Sequence, residues 1–435
     1  MDSPTYNPAL LAPDVSGLAS SLRRPLAERL LATLRRIGKD GAPQHQLVLG
    51  APGSGKTMLL RALRTAIEAD HDLDQRWLPI TFPEAQWDVA RPADVWHNAL
   101  DYLVVALDRR GDKARSADLE VRVANLARLP DDEGRAALDL LTELSSRLER
   151  RFVLLIDTLD VVLDRLKRDQ WHVREILAAE PRLMVIGASA RAIEATYRYD
   201  AAFYDFFQLH ELRPLPPSDV PRLLAGLPAH ADRDALLALP AAALQAALTL
   251  LGTQPRTLTL MAHTLRLEGA LRAPGLVAAV LDAHTPWMEA RMSALAPQSQ
   301  QVVHAIAEAW HPTRPSELAQ RTRLTVNAVS SHLHRLVSDG VVERVPLPPG
   351  QRQGFQIRDR VFQVWLLLRM GQPHRRRLLI AAELLQTVLG GSDPRAALAP
   401  HDELRALLEP DDPDAILRIA PELRAAFEPM ARAAT

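Results

Sequence analysis

The sequence predicts an α/β protein: a five-stranded parallel P-loop sheet with helices on both faces, followed by an α-helical lid, a winged helix-turn-helix and a helical tail. Three observations carry this expectation. The stretch Gly50 to Thr57 reads GAPGSGKT, with an apolar run from Gln46 to Leu49 before it and a helical pattern from Met58 to Ala69 after it. The segment RFVLLID, from Arg151 to Asp157, is a continuous apolar run that ends in an acid. Beyond Pro297, three short helical patterns precede two strand patterns around a proline-glycine turn, which is the order of a winged helix-turn-helix.

The first element fixes the chemistry. Gly50, Pro52, Gly53, Ser54, Gly55, Lys56 and Thr57 fill the pattern G-x-x-x-x-G-K-T. The glycines let successive N–H groups turn inward, the lysine reaches the β and γ phosphates of a nucleotide, and the threonine hydroxyl holds Mg²⁺. The helix that follows points its N-terminal dipole at the same charge. Asp157, at the end of its strand, is the expected partner for the Mg²⁺ water shell. Thr57 and Asp157 are thus the metal-side residues, acting through ATP and water.

Taken in order, residues 1–43 read as a proline-punctuated lead-in and an amphipathic helix from Pro25 to Ile37, with Leu26, Leu30, Leu34 and Ile37 on one face. Residues 44–214 form the nucleotide domain. Within it, Arg76 to Phe82 is a second strand, Pro92 to Leu107 a helix, Arg109 to Pro130 an irregularly helical charged stretch, and Asp132 to Glu149 a clear helix. The 100 residues between Lys56 and Asp157 leave room for an extra strand between the two motifs. Pro181 to Ser189 is a further buried strand beside the first, and Phe206 to Leu212 a fifth. Residues 215–285 are helical throughout and read as a lid, 286–374 as the winged helix-turn-helix, and 375–435 as a helical tail broken at Gly390-Gly391, Pro410 and Pro421.

Composition bounds the class. The 435 residues suggest about three domains. The chain has no cysteine, which excludes disulfides, thiolate metal sites and a cysteine nucleophile, and the expected location is the cytoplasm. No apolar run approaches the roughly 18 residues of a membrane span, and the opening MDSPTYNPAL lacks the pattern of a signal peptide. The histidines show no ligand array on one helix, so no protein metal site is expected. A formal net charge of −1 hides an asymmetry: Pro286 to Arg377 carries thirteen arginines against six acids, whereas Leu378 to Thr435 carries five arginines against ten acids.

Together, GAPGSGKT, LLIDTLD from Leu154 to Asp160, IGASAR from Ile186 to Arg191, GTQPR from Gly252 to Arg256 and the winged helix resemble AAA+ and STAND ATPases, most closely archaeal-type and Orc/Cdc6-like ATPases with a winged-helix domain. The resemblance spans roughly Gln44 to Met370. It implies ATP and Mg²⁺ as cofactors, Ser189 or Arg191 as sensor of the γ-phosphate, Arg256 as the lid arginine reaching the same phosphate, and coupling of ATP binding to homo-oligomerisation. Arg198 joins Arg191 as a candidate arginine finger, the alternative for Arg198 being a solvated surface side chain. Many such ATPases carry Asp-Glu at the strand end, whereas here Thr158 follows Asp157 and the next acid is Asp160. Asp160 is therefore the first candidate to polarise the attacking water and Glu84 the second. If neither is well placed, hydrolysis is slow and the protein acts as a switch.

In the winged module, Leu318, Leu324, Val329, Leu333, Leu336 and Val337 fall at core spacing. That leaves Asn327, Ser330, Ser331 and His334 for a major groove and Arg321, Arg323, Arg344 and Arg352 for phosphates of double-stranded DNA. The other reading is a protein-contact switch in which this module and the acidic tail bind a partner.

Overall fold

Strands buried on both faces read as continuous apolar runs, and this sheet is covered by helices on both sides. The computed structural model describes residues 17–38, 41–82, 86, 88–126, 134–190, 193, 196, 198–227, 231–269, 271–310, 312–347 and 353–391. The chain divides into two compact units, Met1–Arg213 and Pro214–Thr435.

In the first unit, β1 (Gln46–Gly50), β2 (Trp77–Phe82), β3 (Arg151–Ile156), β4 (Leu183–Ser189) and β5 (Gln208–Leu212) form one parallel sheet in the order β2-β3-β4-β1-β5. The five parallel strands expected from the sequence are present. Leu49 lies opposite Ser189, and Ile156 opposite Gly187. The strand that separates the two nucleotide motifs in space is therefore β4, which follows Asp157 in the chain. β2, which lies between those motifs in sequence, is an edge strand.

The helices of this unit are α1 (Gly17–Arg36), α2 (Lys56–Ala69), α3 (His71–Arg76), α4 (Pro92–Arg109), α5 (Lys113–Leu126), α6 (Arg135–Leu148), α7 (Leu159–Leu166) and α8 (Gln170–Ala179). Strand alternation divides the core in two. Val48, Val153, Leu155 and Ile186 face Leu30 and Leu34 of α1 and Leu59 and Leu63 of α2. Leu47, Phe152, Leu154 and Val185 face Trp96, Leu100 and Leu103 of α4 and Leu141 of α6. Three differences from expectation bear on the packing. Helix α1 runs back through Pro25 to Gly17. The stretch read as irregular is the regular helix α5, which buries Ser116, Leu119 and Val123 on one side. β5 begins at Gln208, because Phe206 and Phe207 pack instead around Phe203 and His45.

The second unit holds α9 (Val220–Ala225), α10 (Ala231–Leu237), α11 (Ala241–Leu251), α12 (Pro255–Glu268), α13 (Ala273–Ala283) and α14 (Thr285–Ser293). Then follow α15 (Pro297–Ala309), α16 (Pro315–Thr322), α17 (Val326–Ser338) and the antiparallel pair β6 (Val342–Val345) and β7 (Gly354–Ile357). Thr313 bridges to Phe355 and extends the small sheet. Two more helices, α18 (Arg360–Arg369) and α19 (Gln372–Leu389), complete the described chain. α19 packs on α11, α13 and α18. Its Leu378, Ala381, Ala382, Leu384 and Leu385 are buried. Residues 392–435, most of the expected acidic tail, lie outside the described residues. Among the described residues no single helix is long and apolar enough to cross a membrane.

Candidate nucleotide site and winged-helix surface

The loop from Gly50 to Thr57 joins β1 to α2 with two left-handed glycines, Gly53 at φ 85° and Gly55 at φ 90°. Side chains are strained there and glycine is not. Gly50 is crowded for a different reason: a Cβ at that position would meet Ser54 Oγ, and the serine would have to turn aside. Lys56 is the first residue of α2 and is buried. Its Nζ donates to Gly50 O at 2.8 Å and Ala51 O at 3.1 Å, so the ammonium group sits within the curl of the loop.

Thr57 and Asp157 come together across the intervening strand: the Thr57 hydroxyl donates to Asp157 Oδ2. Asp157 Oδ1 accepts the backbone N–H of Thr158 at 3.0 Å. Thr158 is itself left-handed, at φ 55° and ψ 44°, a conformation that costs a β-branched residue of order 1–3 kcal/mol and clusters at functional sites. It turns the chain from β3 directly into α7. Asp160 lies in the first turn of α7 and is buried. Helix α7 can sit this close to β4 because residue 187 is glycine, where a Cβ would overlap Leu159 Cδ2. Ser189, fully buried at the end of β4, lies opposite the last residue before the loop glycine.

A cavity of about 160 Å³ opens beside this pair, lined by Thr57 and Asp157 together with Leu60, Arg61, Arg64, Thr81 and Phe82. Asp160 is not among its lining residues. Glu84 and Arg191 lie outside the described residues. Arg198 is exposed and paired with Asp200 at 2.6 Å.

Sequence reasoning missed Arg23. It is buried in α1, and its Nε donates to the carbonyl of Ser54 in the phosphate loop at 2.8 Å. Burial lowers its pKa from the usual guanidinium value. Pro25 hides the signal: proline is favoured in the first turn of a helix, so the expected helix begins there and Arg23 falls before its start, whereas the helix runs from Gly17.

In the second unit, Arg256 follows Pro255 in the first turn of α12, with its guanidinium 5.4 Å from the Trp287 ring centroid. In the winged module α17 turns Val329, Leu333 and Leu336 inward. Asn327, Ser330, Ser331 and His334 are exposed, as are Arg321, Arg323 and Arg344. Thr325 caps the helix by accepting the N–H of Ala328 at 3.3 Å. His332 points elsewhere, bonded to Ser299 and Gln298 of α15. Arg321 has Glu308 at 3.8 Å. Arg352 lies outside the described residues.

A glycine-lined loop opening a helix, a lysine inside it and a hydroxyl-carboxylate pair beside it define the phosphate site of a P-loop NTPase. Residues 22–186 match the family model of the AAA ATPase domain, so this part of the chain is an AAA ATPase domain, a class that binds ATP. No curated protein sequence matches the chain. Among solved structures, the Walker-type ATPase PABY2304 of Pyrococcus abyssi shares 14% identity over 79% of this chain and 95% of its own, at a TM-score of 0.58. The Aeropyrum pernix ORC1 protein, solved in complex with DNA, shares 16% identity over 86% of this chain and 96% of its own, at a TM-score of 0.42. The likeness to the first is one of fold.

Proposed function

We propose that the chain is a regulatory ATPase whose nucleotide state controls its self-assembly and the presentation of its winged helix to double-stranded DNA. The loop fits a triphosphate: Lys56 supplies the cation, Gly53 and Gly55 hold the left-handed turns, and Thr57 and Asp157 together fit the Mg²⁺ side. Bound Mg²⁺ supplies neutralisation of phosphate charge. Asp160 or Glu84 accepts a proton from the attacking water, and Ser189, Arg191 and Arg256 read the γ-phosphate. Lys56→Ala is expected to abolish ATP binding in calorimetry, and equal affinity in both proteins would sink the nucleotide reading. Asp160→Asn is expected to lower kcat while leaving ATP affinity in place. Unchanged turnover there, with collapse in Glu84→Gln, assigns the role to Glu84. Self-association is expected to rise with ATP, through Arg191 or Arg198 reaching a neighbour's phosphate. A light-scattering mass that is the same with ATP, ADP and a non-hydrolysable analogue rejects that part.

The observation that carries the DNA step is the face of α17. Its exposed residues Asn327, Ser330, Ser331 and His334 are small or polar, on a module with exposed Arg321, Arg323 and Arg344. Such a face fits a major groove edged by phosphates. In fluorescence anisotropy of the full chain with duplex DNA, Arg321→Ala or Arg344→Ala should weaken all sequences alike and reduce the salt slope by about one unit. Asn327→Ala should relax sequence preference. Absence of binding at low salt, with and without ATP, rejects the DNA step and leaves the protein-contact switch.

A further inference from the structure

The cavity beside Thr57 and Asp157 has a chemistry that ATP and Mg²⁺ binding does not use. Arg61 and Arg64, on one face of α2, line it together with Thr81 at the end of β2. Residues 57, 61 and 64 recur at helical spacing, so the face of α2 that begins at the Mg²⁺-side hydroxyl continues into two guanidinium groups. Two polar atoms there are buried and, among the described residues, find no hydrogen-bond partner: Thr81 Oγ1 and Arg64 Nε. Buried polar atoms are nearly always satisfied, and an exception points to a bound water, ion or function.

Two arginines and one acid, Asp157, line the cavity. Behind Arg64, Arg109 stands 2.5 Å from Glu68, and Arg110 pairs with Asp74. Those two acids are engaged there, and Glu68 reaches Arg64 only at 4.0 Å. Burial and the neighbouring Arg109 together hold the Arg64 guanidinium below its ordinary pKa, which a nearby anion would reverse. The volume of about 160 Å³ equals that of several liquid waters at about 30 Å³ each. It admits a tetrahedral oxyanion with part of its water shell.

We propose that this cavity is a product site, where Arg61, Arg64 and the Thr81 hydroxyl hold the inorganic phosphate released from ATP before it leaves the protein. The inference rests on the ATPase reading. In that reaction water adds to the γ-phosphorus and the bond to the β-phosphate oxygen breaks with its electron pair going to ADP. The products are ADP, hydrogen phosphate and one proton. The hydrogen phosphate carries two negative charges and forms next to Thr57 and Asp157, at the mouth of the cavity. Two guanidinium groups supply the donors that a doubly charged oxyanion takes.

The test is equilibrium dialysis of radiolabelled orthophosphate against the full chain saturated with ADP and Mg²⁺, so that the phosphate loop is already filled. Wild type is expected to bind one phosphate per chain. The double variant Arg61→Ala/Arg64→Ala should bind it at least tenfold more weakly with unchanged ADP affinity, and Arg61→Lys/Arg64→Lys should fall between. In single-turnover reactions read by a fluorescent phosphate sensor, the alanine variant should release phosphate faster at the same rate of ATP cleavage. Failure of wild type to bind phosphate, equal binding by the alanine variant, or equal competition by acetate overturns the proposal. ADP affinity and ATP cleavage, measured on the same samples, separate the outcomes. If both are intact and phosphate does not bind, only the product site falls; if nucleotide does not bind, the ATPase reading falls with it.

Discussion

Arg23 shows how one side chain can set the shape of a loop it does not belong to. A charge-assisted hydrogen bond contributes about 1.5–3 kcal/mol, and this one pins the carbonyl of Ser54, two residues before the lysine. With that carbonyl fixed, the N–H groups on either side are aimed before any phosphate arrives, and less ordering is lost on binding. Arg23→Ala should therefore weaken ATP affinity about tenfold by calorimetry, with Arg23→Lys recovering part of the loss. Identical affinity in the alanine variant would show that the loop holds its shape unaided. The loop residues themselves and Asp157 were legible because their types and spacing are dictated by phosphate and metal chemistry. Arg23 was not legible, since its partner is a backbone carbonyl 31 residues away, which leaves no mark in composition or periodicity.

At the scale of elements, the packing of α7 on β4 decides where Asp160 stands. Gly187 leaves room for Leu159, whose Cβ and Cγ would lie 3.1 Å and 3.2 Å from an added Cβ. Overpacking of this kind costs about 1–3 kcal/mol. Gly187→Ala is expected to lower the urea midpoint accordingly and to reduce turnover by displacing α7, while Leu159→Ala in the same chain relieves the overlap and restores part of the turnover. An unchanged midpoint in Gly187→Ala would mean that α7 moves at no cost. Elements with one clean face, such as α2 and α17, were legible from period alone. Helix α18 was not assigned, because it buries every residue from Val361 to Leu368 and so has no polar face to give it a period. Helix α5 is legible only as irregularly helical for the opposite reason: its buried stripe consists of Ser116, Leu119 and Val123 alone in a charged background.

On the scale of the whole molecule, stability should depend on pH through a group remote from the nucleotide. His45 is buried at the foot of β1, where its Nδ1 accepts the N–H of Val185 at 3.0 Å and its Nε2 donates to Leu177 O at 3.2 Å. Protonation would set a second N–H against that of Val185. Burial accordingly pushes its pKa down from 6.5 to about 4. The unfolded chain takes up the proton near pH 6.5 and the folded one only near 4, so this contribution is complete above pH 6.5 and is lost as pH falls between those values. The loss amounts to about 3 kcal/mol by pH 4. Urea midpoints measured from pH 7.5 to 5 should fall more steeply for wild type than for His45→Gln. Parallel slopes would place the pH sensitivity elsewhere.

The position of β4 has a mechanical meaning as well. Adjacent strands stand about 4.8 Å apart, so inserting one strand sets the roots of the phosphate loop and of Asp157 roughly twice that distance from each other. No backbone ladder joins those two roots directly; the Thr57 to Asp157 hydrogen bond spans them like a tie across a frame, with β4 as the spreader. A small change in the spacing between β4 and either neighbour would open or close that span at once, and Ser189 sits at the tip of the spreader.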